Sequence, residues 1–162
     1  MEATQVVLGY DRAVAEWVRQ RLPMIGEWGP ATAIGIARGG ELIAGVVYNN
    51  FRWLSIEASI ASTSPAWCSR RNLAAIFSYP FRQLQCRRLG ALTEVTNQPA
   101  RAFLCRLGFR DEGVLRQALP PSAANPEGDA VIYGMTPEEC RWLPPWQGNP
   151  HVEGGIIATA GT

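Results

Sequence analysis

The densest run of chemistry-bearing residues is Cys68-Ser69-Arg70-Arg71-Asn72-Leu73-Ala74-Ala75. Ser69 is placed to cap a helix that carries Leu73, Ile76, Phe77, Phe81 and Leu84 on its apolar face. A helix start after a strand presents unpaired backbone N–H groups and the positive end of the helix dipole, and two arginines beside it add to that field. Such a place can hold a pyrophosphate, and it also reads as an ordinary Ser-capped helix with two exposed arginines. The second candidate is Glu57. It is the only acid in the alternating stretch from Trp53 to Ile60, on the polar face with Ser55 and Ser59. A carboxylate there can accept a proton, or it can be a solvated or ion-paired strand residue. Glu94, in a neighbouring strand, is the next carboxylate of this kind.

Other chemistries are excluded by what the chain lacks. The one histidine, His151, sits in a Gly/Pro-rich tail, and Cys68, Cys86, Cys105 and Cys140 show no C-x-x-C spacing. One His and scattered Cys do not assemble a zinc site, a Ser-His-Asp triad, or a His-activated Cys nucleophile. Hydrophobic residues make up 47% and charged residues 18% of the chain, a globular composition. With 15 basic against 14 acidic side chains, no bulk positive field exists to coat a polyanion. Every basic side chain is arginine, which fits either a GC-rich coding bias or avoidance of self-acylation at lysine. No apolar run approaches the ~18 residues of a membrane span. The opening Met1-Glu2-Ala3-Thr4 has no basic or apolar leader signature. Reduced thiols and a cytoplasmic location are the expectation.

The elements that must position these residues follow from periodicity. Residues 11–22 read as a helix with Ala13, Val14, Trp17, Val18 and Leu22 on one face, Asp11 as its cap and Pro23 as its stop. Strands are expected over 31–37, 41–48 and 53–59, separated by Arg38-Gly39-Gly40 and Asn49-Asn50 turns. The helix after Ser69 is expected to kink or end at Pro80. A strand over 89–96 precedes a short helix with Pro99 at its first position and Gly108 at its end. Strands over 113–119 and 129–135 flank a loop over 120–128. Thr136-Pro137-Glu138-Glu139 opens a last short helix. The strand–helix–strand passage in the middle predicts a parallel pair joined by a right-handed crossover within a mainly antiparallel set. One domain over residues 1–143 and a tail over 144–162 are expected.

The stretch Asn97-Gln98-Pro99-Ala100, then Phe103-Leu104-Cys105-Arg106-Leu107-Gly108-Phe109 and Glu112-Gly113 with Arg116, resembles the C-terminal half of GNAT-family N-acetyltransferases. Asp129-Ala130-Val131-Ile132-Tyr133-Gly134-Met135 resembles the family's last strand, and the element order matches from about Val6 to Leu143. The Glu-Gly-x-x-Arg variant is similar to the subgroup related to ribosomal-protein N-terminal acetyltransferases, and to small acetyltransferases of phages and prophages.

The resemblance implies an α/β fold: a mixed, mostly antiparallel twisted sheet, helices on both faces, and a central parallel strand pair splayed into a wedge. The wedge would bind acetyl-CoA as co-substrate, with no metal. Ser59, Ile60 and Ser62 would pair with the pantetheine arm. Ser69, Arg70, Arg71, Asn72, Leu73 and Ala74 would form the pyrophosphate loop. Asn97, Arg101 and Arg106 would add cofactor contacts, although Asn97 equally reads as a helix cap. Leu73 stands where the family has Gly, and Leu104 where many members place a tyrosine that protonates the leaving thiolate. Without that acid, the thiolate leaves unprotonated or takes a proton from water. The reaction needs a neutral amine against a thioester, so Glu57, then Glu94, are the bases. Trp28 and Trp67 are candidates to line an acceptor pocket. The acceptor is a primary amine on a small molecule or a peptide; a homodimer is left open, and no membrane partner is expected. Two rival readings stand beside this one. One is a phage-type nucleic-acid base-modifying relative, using Arg70, Arg71, Arg82, Arg87 and Arg88. The other is a non-catalytic CoA-binding module, which Leu73 and Leu104 favour.

Overall fold

The computed structural model describes residues 2–23 and 26–144. The expected tail, His151 included, lies outside the described residues except for Pro144. Seven strands form one sheet: β1 (Gln5–Val7), β2 (Ala31–Arg38), β3 (Glu41–Asn49), β4 (Ser55–Ser62), β5 (Arg88–Glu94), β6 (Arg110–Leu115) and β7 (Ala130–Met135). Their spatial order is β1-β2-β3-β4-β5-β7-β6. Every neighbouring pair is antiparallel except β4 and β5, which run parallel as the crossover requires. The helices are α1 (Asp11–Arg19), α2 (Arg70–Ser78) and α3 (Gln98–Leu107).

Alternation along the strands divides the core between two faces. Ile34, Ile36, Val46, Tyr48, Ile56 and Ala58 pack with α2 residues Leu73, Ile76 and Phe77 and with α3 residues Leu104 and Leu107. On the opposite face, Ala33, Val47 and Ala61 pack with Val14 and Val18 of α1. A Cβ at Gly45 would lie 2.6 Å from Val18 Cγ2, so α1 rests directly on the backbone of β3. Helix α1 covers β2, β3 and the margin of β4. Among the described residues, the same face of β5, β7 and β6 carries no helix.

Pro80 has the effect its chemistry dictates, in a form the pattern did not specify. It cannot donate to the carbonyl of Ile76 four residues back. Tyr48 Oη, from β3, donates to Ile76 O instead at 2.6 Å. The helix widens into a π-turn over Tyr79–Gln83 rather than ending.

Other expectations need correcting. Helix α1 stops at Arg19, Ala13 is exposed, and Asp11 is not its cap. Asp11 Oδ1 accepts a hydrogen bond from Ala33 N at 2.9 Å, on the edge of β2 beyond the end of β1. The three-residue β1 was not expected, because three residues are too few to show a period. Strand β4 begins at Ser55, so Trp53 and Leu54 lie in the preceding loop, 81% and 58% exposed. Strand β6 starts at Arg110 and ends at Leu115, displaced from 113–119. The final expected helix is a single 3-10 turn over Pro137–Glu139, closed by a capping box between Thr136 and Glu139.

Candidate functional site

The parallel ladder is short. It joins Ser55 to Arg88, Ile56 to Leu89 and Glu57 to Gly90, and there it stops. Strand β4 runs on to Ser62 and β5 to Glu94, so their facing edges diverge. A cavity of about 330 Å³ fills the opening, lined among others by Ser59, Ile60, Ser62, Thr93 and Phe103. Trp28 and Trp67, the two candidate pocket tryptophans, both line it. Trp28 is held there by its Nε1 donating to Ala15 O at 3.1 Å. The divergent edge of β4 offers backbone groups to any extended chain carrying amides.

At the start of α2, Ser69 Oγ accepts a hydrogen bond from Asn72 N at 3.2 Å, and Ser69 O accepts from Leu73 N at 2.9 Å. These bonds leave the N–H groups of Arg70 and Arg71 as the open donors of the first turn. Both arginines are exposed. Asn72 is buried, donating from Nδ2 to Trp67 O at 3.0 Å and Thr4 Oγ1 at 2.9 Å. Leu73 is 1% exposed and belongs to the core under α2. Its side chain packs inward and its N–H is bonded to Ser69 O.

The third expected group is split. Asn97 caps α3, its Oδ1 accepting from Ala100 N at 3.2 Å, and it also lines the cavity; both readings of this residue are compatible. Arg101 is committed to the protein: it donates to Val95 O at 2.9 Å and Tyr133 Oη at 3.1 Å, and pairs with Asp111 at 3.3 Å. Arg106 is exposed, lies over the Phe103 ring and sits near Cys68, on the side where α2 begins. All four cysteines are free, and burial pushes the thiols of Cys68, Cys86 and Cys140 up, away from the thiolate form. Among the described residues, no group of His, Cys, Asp and Glu side chains could hold a metal ion, and no helix is long and apolar enough to cross a membrane.

Glu57 occupies the apex of the wedge, on the α1 face opposite Ile56 and Ala58. Its Oε2 accepts a hydrogen bond from Asn50 Nδ2 at 2.7 Å. Asn50 holds a left-handed backbone at φ 55°, which Asn tolerates better than most residues. A trough of about 300 Å³ opens here, lined by Asn50, Arg52, Glu57, Arg88, Gly90 and neighbouring residues. It shares Ala58, Ser59, Ala91 and Leu92 with the lining of the first cavity, so the two adjoin along the β4–β5 pair. Glu94 is four residues along β5 from Gly90, about 13 Å away at strand rise, and lines the first cavity instead. The two candidate bases are therefore not brought together.

Sequence reasoning missed Asn50, Arg52 and the pairing of Arg88 with Glu112 at 2.6 Å as parts of this site. The signal was the Glu-Gly of the C-terminal motif: Gly113, at φ 134°, completes a bulge that places Glu112 outside the ladder to meet Arg88. The arginines of the nucleic-acid reading do not share a surface. Arg88 faces the trough, whereas Arg70, Arg71 and Arg82 lie on α2 and its extension across the sheet, with Arg82 donating to Pro144 O at 2.6 Å.

No protein-family model and no curated protein sequence matches the chain. Solved structures do. RimJ of Mycobacterium smegmatis in complex with CoA-disulfide aligns at TM-score 0.62 and 22% identity, covering 84% of this chain and 83% of that one. The ribosomal-protein-S5-alanine acetyltransferase of Vibrio fischeri aligns at TM-score 0.63 and 15% identity, over 89% and 97%. The spermidine/spermine N-acetyltransferase SpeG of Vibrio cholerae aligns at TM-score 0.65 and 13% identity, over 83% and 92%. The fold is therefore that of the GNAT acetyltransferases: an open mixed sheet whose parallel β4–β5 pair divides.

Proposed function

We propose that the chain is an acyl-CoA-dependent N-acyltransferase, moving acetyl from acetyl-CoA to a primary amine by direct attack within a ternary complex. The observation that carries this reading is the pair of cavities adjoining where β4 and β5 part, with Glu57 lining the one at the end of the ladder. Two substrates, one in each cavity, would approach each other at the shared lining of Ala58, Ser59, Ala91 and Leu92.

The residues present fit the co-substrate. The open edge of β4 at Ser59, Ile60 and Ser62 is suited to the two amides of a pantetheine arm, and Asn97 keeps its Nδ2 donor after capping α3. Ser69, Arg70 and Arg71, with Arg106 nearby, supply donors and positive charge for phosphates. When bound, acetyl-CoA supplies an electrophilic thioester carbonyl. Glu57 takes the proton that the acceptor's ammonium must lose, and Asn50 holds the carboxylate by one oxygen, with no hydrogen bond to the other among the described residues. The freed lone pair forms the C–N bond as the C–S bond breaks. Leu104, buried against the cavity, has no proton to give, so the departing sulfur takes one from water.

The test is acetyl transfer to an amine panel with wild type and Glu57→Gln, alongside melting curves with acetyl-CoA. Transfer by wild type that falls about 10²–10⁴-fold in the variant, with the acetyl-CoA shift retained, supports the reading. A wild type that binds CoA but acetylates nothing would mark a non-catalytic CoA-binding module. Leu73 and Leu104, the two departures that favour that alternative, are both buried.

A further inference from the structure

The face that α1 leaves open has a charge pattern of its own. Glu57 is held through one oxygen by Asn50 and has no other hydrogen-bond partner among the described residues. Arg52 lines the same trough, and among the described residues its side chain makes no hydrogen bond or ion pair. Arg88 lies flat on the sheet, paired through Nη1 with Glu112 at 2.6 Å, while Nη2 reaches Tyr133 O only at 3.5 Å. A Cβ at Gly134 would overlap both partners of that pair, so the ion pair needs glycine beneath it. The Cβ that Gly90 lacks would stand 3.5 Å from Glu57 Cγ and 3.8 Å from Arg88 Nη2. A small group resting on Gly90 therefore lies against the Glu57 side chain and the Arg88 guanidinium.

A polyamine brings several ammonium groups and no anion. In this trough it would meet one carboxylate, Glu57, beside the unpaired Arg52 guanidinium and an Arg88–Glu112 ion pair, so its further ammonium groups find no free anion and face Arg52. An acceptor with one amine and one carboxylate matches what the trough leaves unpaired, and guanidinium forks recognise carboxylates bidentately. A space of about 300 Å³ suits a small molecule or the end of a chain. We propose that the acceptor is a zwitterionic amine, its nitrogen at Glu57 and its neighbouring carboxylate bound by Arg88 and Arg52. This rests on the acyltransferase reading and adds the acceptor class to it. A free amino acid and a peptide with an acidic second residue both offer that chemistry.

The experiment compares kcat/KM for four acceptors with acetyl-CoA: L-alanine, the peptide Ala-Glu-amide, L-alaninamide and 1,3-diaminopropane. The acid-bearing acceptors should exceed the other two by about 10–100-fold, the worth of hydrogen bonds to a charged group. The amine of L-alaninamide loses its proton more readily than that of L-alanine, so the preference cannot be one of basicity. The faster of the two acid-bearing probes identifies the source. Arg52→Glu and, separately, Arg88→Gln should erase the preference and raise the diamine, while the melting shift with acetyl-CoA stays. Arg52 lies in an exposed loop, so its variant reports even if Arg88→Gln fails to fold. Equal rates with L-alaninamide, a diamine preferred by wild type, or a preference that survives Arg52→Glu would each overturn the inference. So would acetyl-CoA binding with no probe acetylated. Absence of any acetyl-CoA shift would overturn the underlying acyltransferase reading as well.

Discussion

At the scale of single residues, the role proposed for Glu57 rests on one hydrogen bond and its place at the end of a ladder. Asn50→Gly keeps the left-handed backbone that position requires and removes the Nδ2 donor. Turnover should fall about 2–10-fold, the net worth of a single ordinary hydrogen bond, with acetyl-CoA affinity unchanged by calorimetry. An unchanged rate would mean that Asn50 serves the turn alone. Glu57 itself was legible in the sequence, because alternation puts a lone acid on the polar face of β4. Its orienting partner was not, because Asn50 and Glu57 meet only across the register of the β3–β4 hairpin. Arg101 shows the reverse case: a motif places it beside the cofactor, whereas three protein acceptors consume its guanidinium.

At the scale of elements, the attachment of α1 and the C-terminal turn each give a test. Gly45→Ala would drive a methyl to 2.6 Å from Val18, lifting α1 from β3. A loss of about 1–3 kcal/mol in denaturant unfolding is expected for such overpacking. Val18→Ala in the same background should recover part of it, and the absence of any recovery would deny the contact. In the C-terminal turn, hydrogen bonds from the Thr136 side chain and backbone, with the Arg110 guanidinium at 2.5 Å, hold the Glu139 carboxyl below the usual carboxylate range. A lowered carboxyl contributes above its unfolded pKa and is lost as pH falls through the folded one. The Thr136 amide should therefore lose hydrogen-exchange protection on acidification below the ordinary Glu range and keep it at neutral pH. Protection independent of pH would show that the box does not secure the turn. Helix starts at Ser69 and Asn97 and the turn opened by Thr136 were readable from side chains that act locally. Strand limits were not: β1, β4 and β6 are bounded by pairing with distant partners, which periodicity does not record.

At the scale of the whole molecule, the parallel pair follows from chain order, but its early divergence does not. Nothing local to Ala58 or Ala91 marks where hydrogen bonding between β4 and β5 must cease. That divergence sets the two cavities side by side, and the proposed function rests on it. Acetyl-CoA and CoA should both raise the melting temperature by mass action on the folded state. Arg70→Ala with Arg71→Ala should weaken CoA more than pantetheine, since only CoA brings phosphates to the start of α2. Equal losses for both ligands would assign those arginines to folding. The most direct measurement is a crystal structure of the chain grown with saturating CoA. The account predicts the pantetheine arm along β4 beyond Glu57, between it and β5, with the pyrophosphate at Ser69, Arg70 and Arg71 and the sulfur toward the junction at Ala58 and Ala91. A closed β4–β5 ladder with no ligand between the strands, or CoA bound elsewhere on the molecule, would contradict it.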